Sequence, residues 1–204
     1  MKNIPRITSI LRGYTFEQVN TVAEVILENE LQKSIALEIT SNSPNSFESI
    51  AKLANRYGDR LLIGAGTILN MKQAQQAVNA GAEFILSPIS LSKEILDYCS
   101  KNNVVTVPAA FTPTEIYRSF QNGANVVKIF PVSSLNNTFL KDVQAPLGEL
   151  NLMAVGGINK DNAKDFLNEV KYIGVGSAMF NKEDVIKQDK NKLKKSLLEF
   201  IDVL

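Results

Sequence analysis

Lys128 is the residue whose surroundings most strongly suggest chemistry. It interrupts an otherwise apolar run, residues 126–131, in which a solvated charge has no obvious place. Side chains alternate between the two faces of a strand, so Lys128 shares one face with Val126 and Phe130. Burial among apolar neighbours lowers the pKa of a lysine and yields the neutral, nucleophilic amine that imine formation requires. The alternative is a lysine at a strand end whose amine reaches solvent.

Glu38 is a second charge within an apolar run, residues 36–39. One hypothesis makes it a proton shuttle, and the other makes it the partner of Arg12 or Lys128 in a structural ion pair. The sequence contains no histidine and a single cysteine, which excludes a His-containing nucleophile pair and His-ligated zinc. Proton transfer therefore falls to carboxylate, lysine, tyrosine, the cysteine or water, with carboxylate the first candidate.

Two further side chains suit a carboxylate ligand. Arg12 follows the first apolar run and can hold a carboxylate through two hydrogen bonds, although it can also simply pair with Glu38. Thr67 follows the third run and can donate its hydroxyl to the same ligand, although a threonine there can equally cap the next helix.

Two glycine-rich turns follow the last two apolar runs, at Gly156-Gly157 and at Gly176-Ser177. Glycine lets backbone approach a ligand closely, and amide groups at a helix start attract anions. Either turn alone also serves as an ordinary tight turn. Because loops after the seventh and eighth strands commonly bind phosphate in barrels, the two turns together predict a phosphate site.

The elements that must position these residues alternate along the chain. Helical patterns separate eight apolar runs typical of strands: residues 7–11, 35–39, 61–65, 84–87, 104–107, 126–130, 152–155 and 172–175. The pattern predicts a single-domain (β/α)₈ TIM barrel over residues 1–204, with a doubly wound sheet as the alternative. Residues 181–204 are predicted to form a C-terminal helical segment whose lysines make a solvated face.

The composition limits the possible partners. The formal net charge is +1, so no strong field draws the chain to nucleic acid or membrane, and a small-molecule partner is favoured. The single Cys99 forms no internal disulfide, and the first 20 residues lack a secretion signal. We therefore expect a cytoplasmic protein.

These residues together resemble the family of class I aldolases that cleave 2-keto-3-deoxy-6-phospho sugar acids (KDPG aldolases) and 4-hydroxy-2-oxoglutarate. The resemblance covers nearly the whole chain. The motifs that carry it are Leu37-Glu38-Ile39-Thr40, Ile63-Gly64-Ala65-Gly66-Thr67, Ser87-Pro88, Val107-Pro108, Lys128-Ile129-Phe130-Pro131 and Gly156-Gly157-Ile158.

The resemblance implies a role for each residue. Lys128 is the Schiff-base lysine, Glu38 the general acid and base, and Arg12 and Thr67 the contacts to the substrate carboxylate. The implied phosphate cradle is Gly156, Gly157, Gly176 and Ser177, and the implied pocket residues are Pro108, Phe130 and Pro131. The resemblance further implies a keto-acid substrate, pyruvate as product, no cofactor, no metal and a homotrimer.

The departures from the family pattern concern specificity. Gluconate-specific members carry an arginine shortly after the strand-two glutamate, where residues 40–44 here contain none, and a threonine where Val155 stands. The segments that contain Arg12, Asn42-Ser43-Pro44 and Val155 instead resemble the branch acting on 2-keto-3-deoxy-6-phosphogalactonate. Ala109 replaces the usual glycine after Val107-Pro108. Two rival functions stay open: a sugar-phosphate epimerase using a Lys/Glu pair and a non-catalytic phosphate-binding barrel.

Overall fold

The computed structural model describes residues 4–136 and 138–204. In this part of the chain, nine parallel strands form a nearly closed barrel in the order β5-β4-β3-β2-β1-β9-β8-β7-β6. The strands are β1 (Ile7–Leu11), β2 (Ile35–Thr40), β3 (Ile63–Gly66), β4 (Phe84–Leu86), β5 (Val105–Val107), β6 (Ala109–Ala110), β7 (Val127–Ile129), β8 (Leu152–Val155) and β9 (Tyr172–Val175).

The first and last strands pair with each other, since Ile7 lies opposite Ile173. A doubly wound sheet would leave those strands apart, so that alternative is wrong and the (β/α)₈ barrel is confirmed.

Pro108 separates β5, which matches the predicted fifth strand, from the short additional strand β6. Proline has no backbone N–H to donate to a ladder, which ends regular pairing at that residue. Its carbonyl still accepts a hydrogen bond of 2.8 Å from the Lys128 amide, and Val107 accepts one of 3.1 Å from the Ser87 amide. Because β5 pairs with β4 and β6 pairs with β7, the two pieces act as one strand that joins the sides of the barrel.

Helices cover the outside of the barrel. They are α1 (Phe16–Glu28), α2 (Ser46–Tyr57), α3 (Met71–Asn79), α4 (Lys93–Lys101), α5 (Pro113–Gln121), α6 (Phe139–Leu147), α7 (Ala163–Glu169), α8 (Lys182–Ile186) and α9 (Lys190–Ile201). Pro146 lies inside α6, where a proline cannot donate the usual backbone hydrogen bond. No helix in the described ranges is both long and apolar enough to span a membrane.

The C-terminal helix packs on the first one. Leu193, Leu197 and Phe200 of α9 are buried, whereas the Lys190 amine on its exposed face lies 2.8 Å from the Glu24 carboxylate of α1. The lysines of α9 therefore lie on a solvated face, as predicted.

Apolar side chains also fill the inside of the barrel. Buried members of this inner cluster include Ala36, Phe84, Val126, Met153 and Val155. In the described part of the chain, Glu38 and Lys128 are the buried charged residues, with 3% and 6% of their surface exposed. The barrel thus encloses two opposite charges in an apolar interior.

Candidate active site

Lys128 lies on β7 and points into the barrel, on the face it shares with Val126 and Phe130. Its Nζ atom lies 4.9 Å from the centre of the Phe130 ring, a distance at which the ring attracts an ammonium group. Burial lowers the pKa of Lys128 to about 8; the Glu38 charge opposes this shift and Arg12 adds to it. A useful fraction of the amine is therefore neutral near pH 7.

Glu38 lies on β2 and points into the same interior. Burial raises the pKa of its carboxyl to about 7, while the charges of Lys128 and Arg12 act in the opposite direction. Its Oε2 atom is buried and has no hydrogen-bond partner in the described part of the chain. Since its pKa lies near neutrality, Glu38 can both accept and return a proton, and Oε2 is available to a bound molecule.

Arg12 follows β1 and its guanidinium is held at the mouth of the barrel. Its Nη1 atom donates to Asn42 Oδ1 at 3.3 Å and to Thr67 Oγ1 at 3.4 Å. Asn70, rather than Thr67, caps α3 through its side chain, which accepts from the Gln73 amide. A hydrogen bond thus joins the Arg12 and Thr67 side chains. Within the described residues, neither side chain forms a hydrogen bond with Glu38, and Thr67 does not cap α3.

A cavity of about 550 Å³ opens at the carboxyl ends of β1, β8 and β9. Its lining contains all four predicted cradle residues, together with Arg12 and Phe130. It also contains residues that the sequence did not single out, namely Tyr14, Asn159, Phe180 and Lys182. The sequence does not distinguish Lys182, because a lysine at the start of a short polar helix resembles any other surface lysine. Asn42 belongs to the segment that resembles the galactonate branch, and the structure adds its hydrogen bond with Arg12.

Backbone conformation and close packing favour glycine at two positions of this cavity, Gly156 and Gly157. Gly156 and Gly157 have φ angles of 105° and 76°, a region that favours glycine. A β-carbon on Gly157 would lie 2.8 Å from Ser133 Cβ, in the single 3₁₀ turn Val132–Ser134 that follows β7. The loop after β8 can therefore pack directly on the loop after the lysine strand.

The helices that follow β8 and β9 do not begin at these glycines. Helix α7 begins at Ala163 and α8 begins at Lys182, each several residues beyond its glycine turn. An anion beside Gly156, Gly157, Gly176 and Ser177 would meet the amides of turns. Each glycine turn thus leads into its helix through several further turn residues.

Of the three predicted pocket residues, Phe130 lines the cavity, whereas Pro108 and Pro131 contact the backbone around it. Pro131 contacts the loop after β8, since a β-carbon on Gly156 would lie 3.1 Å from Pro131 Cα. Pro108 fixes the backbone of Lys128 through its carbonyl. The buried Lys128 and Glu38 lie inside the barrel rather than in the lining of the cavity, with Phe130 and Arg12 at its border.

Comparison with known proteins places this geometry in context. The family model described as KDPG and KHG aldolase matches residues 2–196. A probable 2-dehydro-3-deoxy-6-phosphogalactonate aldolase of Rhizobium meliloti is 32% identical over 174 residues, covering 84% of this chain and 80% of the relative. The 2-dehydro-3-deoxy-6-phosphogalactonate aldolase of Escherichia coli is 29% identical, covering 84% and 83%. A 2-dehydro-3-deoxy-phosphogluconate aldolase of Treponema pallidum is 32% identical, covering 70% and 67%.

Solved structures agree with the fold. A structure described as native KDPGal superposes with a TM-score of 0.86 at 24% identity, covering 100% of this chain and 98% of that one. The KDPG aldolase of Legionella pneumophila, with pyruvate captured as a covalent carbinolamine, gives a TM-score of 0.85 at 24% identity, covering 95% and 93%.

The electrostatics of the interior predict opposite effects for two substitutions. Glu38→Gln removes a charge that raises the pKa of Lys128, so that pKa should fall further below its ordinary value. Arg12→Gln removes a charge that lowers it, so the same pKa should rise. Titration of the Lys128 amine by ¹³C NMR on lysine-labelled protein measures both shifts. Equal or reversed shifts in the two variants would contradict this account.

Proposed function

The chain belongs to the KDPG and KHG aldolase family, and we propose that it cleaves a 2-keto-3-deoxy-6-phospho sugar acid through an imine on Lys128. The products are pyruvate and glyceraldehyde 3-phosphate, so the reaction is that of a carbon–carbon lyase. The observation that carries the proposal is a buried amine with a pKa of about 8 in the same barrel interior as a carboxyl with a free oxygen. The chemistry uses side chains of this chain and needs neither a metal nor a cofactor.

Imine formation uses the neutral amine. Nζ of Lys128 attacks the keto carbon of the substrate, and the carbonyl oxygen takes a proton to give a carbinolamine. Loss of water then gives an iminium ion, in which the positive nitrogen withdraws electrons from the neighbouring carbon atoms. The low pKa of Lys128 supports this step, because an ammonium group has no electron pair to donate.

Bond cleavage uses Glu38 as a base. Its carboxylate, directly or through a water, takes the proton of the carbon-four hydroxyl, and the aldehyde leaves as the bond between carbons three and four breaks. The electron pair of that bond moves into the iminium, which becomes an enamine. Glu38 then returns a proton to carbon three, and hydrolysis releases pyruvate and the amine. A pKa of about 7 suits both directions of transfer.

The two ends of the substrate have separate anchors. Arg12 and Thr67, which are joined by a hydrogen bond at the mouth, are proposed to hold the carboxylate. The turns that contain Gly156, Gly157, Gly176 and Ser177 are proposed to bind the phosphate through backbone amides and the serine hydroxyl. Arg12 and the two turns line one cavity, and this arrangement would place the keto carbon between the two anchors, over Lys128.

We propose 2-keto-3-deoxy-6-phosphogalactonate as the preferred substrate. Val155 lines the cavity and offers no hydrogen bond, whereas a threonine there would present a hydroxyl to the substrate. Residues 40–44 lack the arginine of the gluconate-specific members. Asn42 lies in this segment, and its Oδ1 atom accepts a hydrogen bond from Arg12. Two of the relatives reported above are named for the galactonate substrate. Cleavage of 4-hydroxy-2-oxoglutarate is a secondary candidate.

The two rival functions gain no support from the geometry. An epimerase would need its two groups on opposite faces of one stereocentre and would break no carbon–carbon bond. A non-catalytic barrel would not explain an amine and a carboxyl that are both buried with shifted pKa values.

We propose a homotrimer in the cytoplasm. The buried Cys99 supports the location, because it takes part in no disulfide. The trimer is supported by exposed large hydrophobic residues on the loops after β3, β4 and β6 and on α5 and α6, which we propose as the interface face: Leu69, Ile89, Phe111, Tyr117 and Leu147. Tyr117 and Leu147 line one surface groove between α5 and α6, and exposed apolar surface of this kind is typical of an interface.

Borohydride trapping tests the imine. Reduction in the presence of pyruvate should attach the three-carbon acid to Lys128, detected as a mass increase on the peptide that contains it. Lys128→Met should lose the label and should lower kcat by about 10³-fold or more, because the covalent route is removed. A folded wild-type protein that stays unlabelled would sink the proposed mechanism.

A substrate panel tests specificity. Pyruvate release should be fastest from the phosphogalactonate substrate, compared with the phosphogluconate and hydroxyoxoglutarate substrates. Val155→Thr should move the kcat/KM ratio toward phosphogluconate by roughly 10-fold, the scale of one hydroxyl contact. Ile10→Val, which alters a neighbouring apolar lining residue, serves as the matched control. A wild-type preference for phosphogluconate would contradict the assignment.

Light scattering on a sizing column tests the assembly. The wild type should elute with three times the chain mass, whereas Tyr117→Glu should be smaller because it places a charge in an apolar interface. Ile186→Glu is the matched control, since Ile186 is similarly exposed on α8, outside the proposed face. A monomeric wild type would overturn the trimer, and an unchanged Tyr117→Glu protein would overturn this choice of face.

A further inference from the structure

We propose that Gly66 is a positioning residue: lacking a side chain, it gives the Glu38 carboxyl a place against β3 and keeps it out of contact with the Lys128 amine. The inference rests on the imine chemistry proposed above, and it deepens that function by explaining why the two buried charges do not pair.

The Glu38 side chain lies against Gly66 rather than against its direct neighbour. In the β2–β3 register, Glu38 is opposite Gly64 and Thr40 is opposite Gly66. A β-carbon built on Gly66 would nevertheless lie 2.9 Å from Glu38 Cγ and would collide with the carboxyl carbon and Oε1. The side chain therefore leans along the strand, and its carboxyl occupies the space that any other residue at 66 would fill.

The backbone alone does not require glycine at this position. Gly66 is absent from the glycines with positive φ, so an L-residue can adopt its conformation. The adjacent inward-facing glycine, Gly64, also has an ordinary φ, but the space above it holds the Phe84 ring. Two glycines on one strand thus make room for two different groups: Gly64 for core packing and Gly66 for a carboxyl.

The location of the carboxyl decides its distance from the amine. Lys128 on β7 and Arg12 after β1 are the cationic groups that act on Glu38. In the described part of the chain, neither forms an ion pair with it within 4.0 Å. A side chain at 66 would push the carboxyl off β3 and toward the barrel interior, where Lys128 lies. Direct pairing would favour the charged form of both groups and reduce the fraction of neutral amine.

The matched pair Gly66→Ala and Gly64→Ala tests the inference. For the wild type, the rate of pyruvate trapping by borohydride should rise with pH through about 8, where Lys128 loses its proton. In Gly66→Ala the rise should occur at higher pH, so trapping at pH 7 should slow by about 10-fold and recover in alkaline buffer. Gly64→Ala strains the Phe84 packing, so it should lower the free energy of unfolding but keep the wild-type pH midpoint.

A shorter acid provides the rescue. In Glu38→Asp the carboxyl is one methylene nearer its own backbone, so adding Gly66→Ala should shift the pH midpoint much less than it does beside Glu38. Gly66→Ala with an unshifted midpoint, or an equal shift in Gly64→Ala, would overturn the inference.

A readout that needs no catalysis separates the two proposals. ¹³C NMR titration of the Lys128 amine should give a higher pKa in Gly66→Ala than in the wild type. If wild-type protein is not trapped by borohydride, the imine mechanism fails, and the titration still decides whether Gly66 sets the distance between the charges. An unchanged titration would overturn the positioning role, whatever the trapping shows.

Discussion

The structure depends on holding an amine and a carboxyl in one apolar interior without letting them pair. Either charge alone in such a place is costly, and a close pair would lock both groups in their charged forms. The barrel avoids both extremes by placing Lys128 on β7 and Glu38 on β2, on different parts of the wall. Each charge is close enough to shift the other's pKa, yet no direct ion pair joins them.

Main-chain features secure that separation. The Pro108 carbonyl accepts from the Lys128 amide, so the break in the fifth strand coincides with the anchor of the amine. On β3, Gly66 has no side chain, and the Glu38 carboxyl occupies the space that a side chain would fill. Beyond the strand ends, the glycines of the β8 loop allow that loop to pack on the turn after β7. Backbone choices of this kind fix side chains more firmly than flexible neighbours can.

The sequence predicts the barrel well because its signals are local. Apolar runs with period two, helical stretches and glycine stops are visible within short windows, and alternation correctly places Lys128 and Glu38 on inward faces. It fails where the cause is distant in the chain. The hydrogen bond between Asn42 and Arg12 is visible only in the folded chain, and so is the position of the Glu38 carboxyl against Gly66.

The pairing of β1 with β9 has a consequence for the order of events during synthesis. Strand β1 is synthesised well before β9, the strand with which it closes the barrel, because residues 12–171 lie between them. Contacts that span such a separation are slow to form, so closure of the barrel is a late step. Until then, the strand that carries the amine and the strand that carries the carboxyl have no shared interior. Both charges therefore stay hydrated in the nascent chain. Their desolvation, which is unfavourable, takes place in a single step when the sheet closes around them.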